Sequence, residues 1–350
     1  MLISALKQSL FMNKLATDAY DVCINIGGMS ILLHTYSAGF AQLLKDRYGP
    51  FVLGSAASAD PSSEEPAAGA REGHSCTPGQ PRSPVLYGPR QGPPMHTVFE
   101  LEIELIAPGI VSDAEDARVR LERGRWVMER GDFRAEWDPE RGQGWVRQSA
   151  NPYSIDSVLR ILHSLLLARE GGFLVHAASA IRNGRAFLFA GVSGAGKTTI
   201  SRLAPPDVVL LTDEISYVRE FSIQETGDRS QKSEVRTRPP VSELRVATPQ
   251  PVGPAFEAFG TPFAGELARI GENVRAPIAA LYLLAQGPEN RIELITEAEA
   301  VRALLQNILF FAQDEELVGL VFESAFEFVS RVPVRRLVFA PNARVWELIE

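Results

Sequence analysis

The octapeptide Gly191-Val192-Ser193-Gly194-Ala195-Gly196-Lys197-Thr198 constrains this chain more than any other stretch of it. It matches Gly-x4-Gly-Lys-[Ser/Thr], a pattern in which each residue type answers a physical demand. Gly191, Gly194 and Gly196 permit positive φ and let backbone N–H groups curl around phosphate oxygens. Lys197 supplies a compact point charge, and Thr198 a hydroxyl suited to Mg2+. The candidate nucleotide-binding stretch runs from Gly191 through Thr199. Its flanks agree with it. The apolar run Phe187 to Ala190 predicts a strand leading in, and a helix from Lys197 to about Leu203 follows, stopped by Pro205-Pro206. Such a helix aims the positive end of its dipole at an anion. The expected ligands are ATP and Mg2+.

Two further features lie nearby. Val208 to Leu211 is a short apolar run that reads as a buried strand, and Asp213-Glu214 closes it. An acidic pair at the carboxyl end of a strand beside a phosphate loop suits a metal ligand, assigned here to Asp213 with Thr198, and a base for an attacking hydroxyl. Either Asp213 or Glu214 can be that base. His176, in the apolar run Leu174-Val175-His176-Ala177-Ala178, reads on its own as a core histidine before a catalytic one.

The 350 residues suffice for two domains. Residues 20–35 predict two strands around Gly27-Gly28, and Ala38 to Tyr48 a helix. From Pro61 to Pro94 the chain carries eight prolines and five glycines and few large apolar residues, so 54–95 is expected to be a disordered insertion. Alternation over 97–106 and short runs at Val119, Trp126 and Phe133 predict further strands. The expectation is a small α+β domain over 1–150 and an α/β domain over 151–350. The second opens with an amphipathic helix, Ser154 to Arg169, whose Ile155, Val158, Leu159, Leu162, Leu165 and Leu166 share a face. Strands are expected at Phe173 to Ala177, Leu281 to Leu284 and Val334 to Phe339. Thr296 with Glu299 forms a capping box opening a helix, and Asp314 caps another.

The net charge of −8 and pI near 5.4 argue against a nucleic-acid partner. No apolar run of 18 residues occurs, so no membrane span is expected. Cys23 and Cys76 form no metal-ligand spacing and read as unpaired thiols. The first twenty residues, with Lys7 and Lys14, make no convincing signal peptide, and a cytoplasmic location is expected.

Taken together, Leu174 to Ala177, Gly191 to Thr199 and Leu211-Thr212-Asp213-Glu214 resemble the HPr kinase/phosphorylase family, and more closely its HPr-kinase-like relatives of unknown acceptor. The segment Phe259-Gly260-Thr261-Pro262-Phe263-Ala264-Gly265-Glu266, the strand from Ala276 and the two C-terminal helices are similar too. The resemblance covers about 151–350. It implies a P-loop core of the type shared with phosphoenolpyruvate carboxykinase. It also implies phosphate and Mg2+ contacts from Lys197 and Thr198, base and metal roles for Asp213 and Glu214, and a catalytic place for His176 near the γ-phosphate. The family has Asp where this chain has Glu214, and the segment that grips HPr has no match here, so HPr is not implied as acceptor. Arg269 and Arg275 read as surface arginines, with phosphate binding as the alternative.

Three functions compete. The first is a kinase acting on a Ser/Thr-type hydroxyl of a protein, peptide or small molecule, with homo-oligomers as known in the family. The second is a lyase like phosphoenolpyruvate carboxykinase, which this chain is too short to match in full. The third is a non-catalytic or weakly hydrolytic ATP-binding accessory protein.

Overall fold

The computed structural model describes residues 19–54, 98–107, 116–221 and 255–349. Cys76, most of the first twenty residues and nearly all of the insertion expected at 54–95 lie outside them. The described chain is a mixed α/β fold with two sheets, and none of its helices is long and apolar enough to cross a membrane.

The first sheet orders its strands β1-β2-β3-β7-β6-β5-β4. These are β1 (Tyr20–Ile26), β2 (Met29–Thr35), β3 (Val98–Leu105), β4 (Arg118–Glu122), β5 (Arg125–Arg130), β6 (Phe133–Asp138) and β7 (Gln143–Gln148). The β1–β2 hairpin turns on Gly27 and Gly28, both at positive φ, as a tight two-residue turn demands. Helix α1 (Ala38–Tyr48) follows β2, capped by the Ser37 side chain accepting from the N–H of Phe40. Strand β7 escaped the sequence reading because glycine and glutamine interrupt its alternation.

Helix α2 (Pro152–Arg169) joins the two sheets. Asn151 caps it, accepting from the N–H of Tyr153, and Pro152 sits where a missing N–H costs nothing. The sequence pattern gives this helix one apolar face. In the structure Ile155, Val158, Leu159, Ile161, Leu162, Leu165, Leu167 and Ala168 are all buried, so nearly the whole circumference is enclosed. The reason is that one hydrophobic cluster passes from Ile24, Leu33, Ile103 and Val146 of the first sheet through α2 to Leu174, Ile215, Tyr217 and Phe263. The first sheet, α2 and part of the second sheet therefore share one core, while two further clusters lie wholly within the second sheet and the elements packed on it.

Polar groups on α2 have matching partners. Asp156 accepts from the Tyr48 hydroxyl at 2.8 Å and from Arg47 Nε at 3.1 Å. Ser154 donates to Asp132 at 2.6 Å. His163 and the Nε of Arg160 are exceptions, and His163 is the more enclosed of the two. It is buried, both ring nitrogens lack a hydrogen-bond partner, and it meets the Tyr217 ring edge-on at 5.6 Å between centroids.

The second sheet contains β8 (Gly172–Arg182), β9 (Arg185–Ala190), β10 (Val209–Thr212), β11 (Ile215–Phe221), β12 (Ala255–Phe259), β13 (Arg275–Gln286), β14 (Arg291–Leu294), β15 (Ile308–Leu309) and β16 (Val334–Phe339). Pairing runs in a closed circuit, β8 to β11 to β12 to β13 to β9 and back to β8. Strands β10 and β11 lie successively along β8, with Asp213 and Glu214 in the break between them. Helix α3 (Lys197–Arg202) follows β9. Helices α4 (Glu297–Asn307) and α5 (Glu315–Arg331) carry the expected Thr296 and Asp314 caps. Helix α4 stops at Asn307 because Ile308 turns extended to pair with β8.

Burial pushes the His163 pKa down to about 3. In the unfolded chain it protonates near its ordinary value of about 6.5. Between these values the unfolded state binds more protons, so stability falls as pH falls, by roughly 1.4 kcal/mol per unit. Urea unfolding at pH 6.5 and 5.5 is expected to show this loss in the wild type and a flatter dependence in His163→Leu.

Candidate functional site

The register of the second sheet gathers the sequence-predicted residues at one level. Ala177 pairs with Ala190, the last residue of β9, and His176 pairs with Ile215, the first residue of β11. His176, the loop that leaves β9 and the acidic pair thus sit side by side. The loop is a strand-to-helix connection. Gly194 and Gly196 adopt φ of 78° and 114°. A Cβ on Gly196 would lie 2.6 Å from the Phe339 ring, so this position needs glycine for its backbone and for space. The carbonyl of Gly194 accepts from Gln286 Nε2 at 2.7 Å, which ties the loop to the end of β13.

Lys197 is buried, and its Nζ donates to the carbonyls of Gly191 at 2.7 Å and Val192 at 3.3 Å. The ammonium folds back over its own loop. Burial lowers its pKa, against the pull of Glu214 and Glu266. Val192, by contrast, is 79% exposed, and Ser193 and Gly194 are exposed with it. The loop presents open backbone on one side and a held cation on the other. A cavity of about 400 Å³ adjoins it, lined by Gly196, Thr199, Gln286, Gly287, Phe339 and Pro341.

The acidic pair divides into two unlike carboxylates. Asp213 is 2% exposed, and its oxygens accept from the N–H groups of Gly265 at 2.8 Å and Leu267 at 2.9 Å. It braces the turn 264–268, in which Ala268 holds the uncommon φ of 51°. Thr212 reinforces the bend by accepting from the N–H of Glu214 and Ile215 and donating to the Phe263 carbonyl. Glu214 is only partly buried, and burial first, then the neighbouring Asp213, raises its pKa, while Arg160 and Lys197 oppose the rise. The His176 ring is half-buried, and burial, Lys197 and Arg160 in turn depress its pKa. A neutral imidazole, a raised carboxyl and two cations therefore share one field.

The structure adds two residues to the predicted set. Glu266, at the end of the segment Phe259 to Glu266, brings Oε2 to 3.3 Å from Thr198 Oγ1. Arg160 of α2 lies 3.7 Å from Glu214 Oε2, with its guanidinium over the Phe263 ring. Its only sequence signal is a charge set between Leu159 and Ile161, in the apolar run of the helix. Arg275 pairs with Glu257 at 3.1 Å, and Arg269 is exposed. Among the described residues no cluster of three His, Cys, Asp or Glu side chains forms a ready metal site. A larger cleft of about 830 Å³ lies on the first sheet, against Tyr36, Trp145 and Arg147, and includes none of the predicted residues.

No protein-family model matches the chain, and a search of curated proteins finds no match.

An asparagine at 213 offers one acceptor oxygen where the carboxylate offers two, and its amide faces a backbone N–H. Asp213→Asn is expected to lower stability by about 1–3 kcal/mol. Hydrogen exchange at Gly265 and Leu267 should speed up well beyond that of β11, and unchanged exchange there would show that the brace is dispensable.

Proposed function

We propose that this chain is an ATP- and Mg2+-dependent kinase with a P-loop core of the HPr kinase type, transferring the γ-phosphoryl group to a Ser/Thr-type hydroxyl. One observation carries the reading: a Lys197-bearing glycine loop and a carboxylate of raised pKa, Glu214, stand at the same level of one sheet. A loop alone supports binding. A partly exposed carboxylate beside it, poised to take a proton, supports transfer.

In this reading the backbone N–H groups of 191–196 and the start of α3 hold the phosphates, and Lys197 leaves its loop carbonyls for the β/γ oxygens. The 400 Å³ cavity beside Gly196 has room for the nucleoside. Glu214 accepts the proton of the acceptor hydroxyl. The hydroxyl oxygen then bonds to the γ-phosphorus, the bond from that phosphorus to the β–γ bridging oxygen breaks, and ADP leaves. His176, neutral in its depressed range, is a hydrogen-bond partner for the transferred group rather than a charge. The Thr198 hydroxyl and the Glu266 carboxylate are hard oxygen donors that meet at 3.3 Å, and they fit Mg2+. When bound, Mg2+ neutralises charge on the β- and γ-oxygens. Asp213, whose oxygens already serve two N–H groups, acts by holding the turn that carries Glu266.

That engagement of Asp213 also favours a second reading, an ATP-binding accessory protein in which the acidic pair is structural. Acceptor transfer separates the two. Purified protein is incubated with γ-labelled ATP and Mg2+, with and without host-cell lysate. The kinase reading expects a labelled acceptor, abolished in Lys197→Ala and lowered by about 10²–10⁴ in Glu214→Gln. ATP binding without labelling, unaffected by Glu214→Gln, would leave the accessory reading. The rate of transfer should also climb with pH through a group titrating above the ordinary glutamate range, and Glu214→Gln should flatten that limb.

A further inference from the structure

Arg160 stands out among the partly buried arginines. Arg47 donates to Asp156, Arg219 to Glu170, Arg275 to Glu257, and Arg182 to the Ile349 carbonyl. Arg160 makes no such bond among the described residues. Its Nε is buried without a partner, and its ion pair with Glu214 Oε2 spans 3.7 Å, beyond hydrogen-bond reach. A guanidinium presents five donors in a planar fork, and leaving them unmet in a half-buried place is costly unless a ligand meets them. The Phe263 ring lies 5.1 Å from Cζ, a cation–π contact that favours this placement of the guanidinium. The side chain keeps 24% of its surface exposed, so an incoming group can reach it. Its charge is felt at both Glu214 and His176.

We propose that Arg160 is a second oxyanion-binding group of this site, distinct from the glycine loop, and that it receives a phosphate or carboxylate in its bidentate fork. Two sources share this chemistry: the γ-phosphoryl group of the nucleotide, and an anionic group carried by the acceptor next to its hydroxyl. In either case the arriving anion draws Arg160 from Glu214 and frees that carboxylate to take a proton. The nucleotide arms of the test rest on the proposed function, and a phosphate arm does not.

Calorimetric titrations of the full chain, with Mg2+, compare wild type, Arg160→Gln and Arg160→Lys. Ligands are ADP, the non-hydrolysable ATP analogue AMP-PNP, and inorganic phosphate added to AMP-PNP-saturated protein. If the γ-phosphoryl group is the ligand, Arg160→Gln weakens AMP-PNP about tenfold or more and leaves ADP unchanged. If the acceptor's anion is the ligand, AMP-PNP affinity holds and phosphate binding to the loaded protein is lost. Arg160→Lys should recover part of either effect as a point charge without the fork. An Arg160→Gln protein that matches wild type in both measurements overturns the proposal. Should wild type bind neither nucleotide, the nucleotide reading fails on its own. Phosphate titrated into the ligand-free proteins then decides the matter for Arg160: a tenfold loss in Arg160→Gln supports it, and equal binding ends it.

Discussion

The enclosure of α2 between the two sheets is the constraint on which the remaining structure depends. A helix buried on almost every side cannot leave its polar side chains to solvent, so a partner from a neighbouring element is worth a good deal to each of them, and His163 and the Nε of Arg160 are the ones that go without. Asp156 is answered by Tyr48 and Arg47 of α1, which fixes the first sheet against the helix. The pair is costly to break, because removing one partner strands a buried charge. On the opposite side the helix packs against β8 and Tyr217, and the Tyr217 ring occupies the space a Cβ on Gly27 would need. The hairpin turn of the first sheet and the core of the second thus meet at one contact. Arg160 emerges from this same helix, so its place beside Glu214 is inherited from the packing rather than from a loop.

The candidate site is built from strand ends and one bend. Strands β8 and β9 set His176 and the glycine loop at one level, and the interruption between β10 and β11 releases Asp213 and Glu214 from the ladder. Two adjacent carboxylates come to differ because one accepts from two N–H donors and the other, partly exposed, faces a cation. Environment, more than residue type, separates a brace from a candidate base.

Much of this was legible beforehand. The glycine loop, its strand and helix, the capped helices α4 and α5 and the β1–β2 hairpin follow from local chemistry: turn glycines, capping side chains and apolar periodicity. What escaped was non-local. Strand β12 is a five-residue segment whose identity depends on pairing with β11 and β13. The bracing contacts of Asp213 were hidden because nothing in the sequence reveals that Gly265 and Leu267, fifty residues on, turn their N–H groups toward it. Arg160 and Glu266 are unremarkable letters until the fold brings them to Glu214 and Thr198. The mixed α/β class was readable from the alternation of patterns. The closed circuit of five strands was not, since closure is a property of edges meeting.

Strand β8 is paired on both edges, by β11 and β10 on one and by β15 and β9 on the other. Leu174 and Val175, and Ser179 to Ile181, have a partner on each edge, so these two stretches stay paired whichever single neighbour is lifted away. Such a strand can open only when the whole assembly opens, so its slowest amides measure global unfolding rather than local breathing. His176 sits between those two stretches, while the tip of the glycine loop is exposed. A ligand gripping both would couple exposed loop backbone to a strand held from two sides.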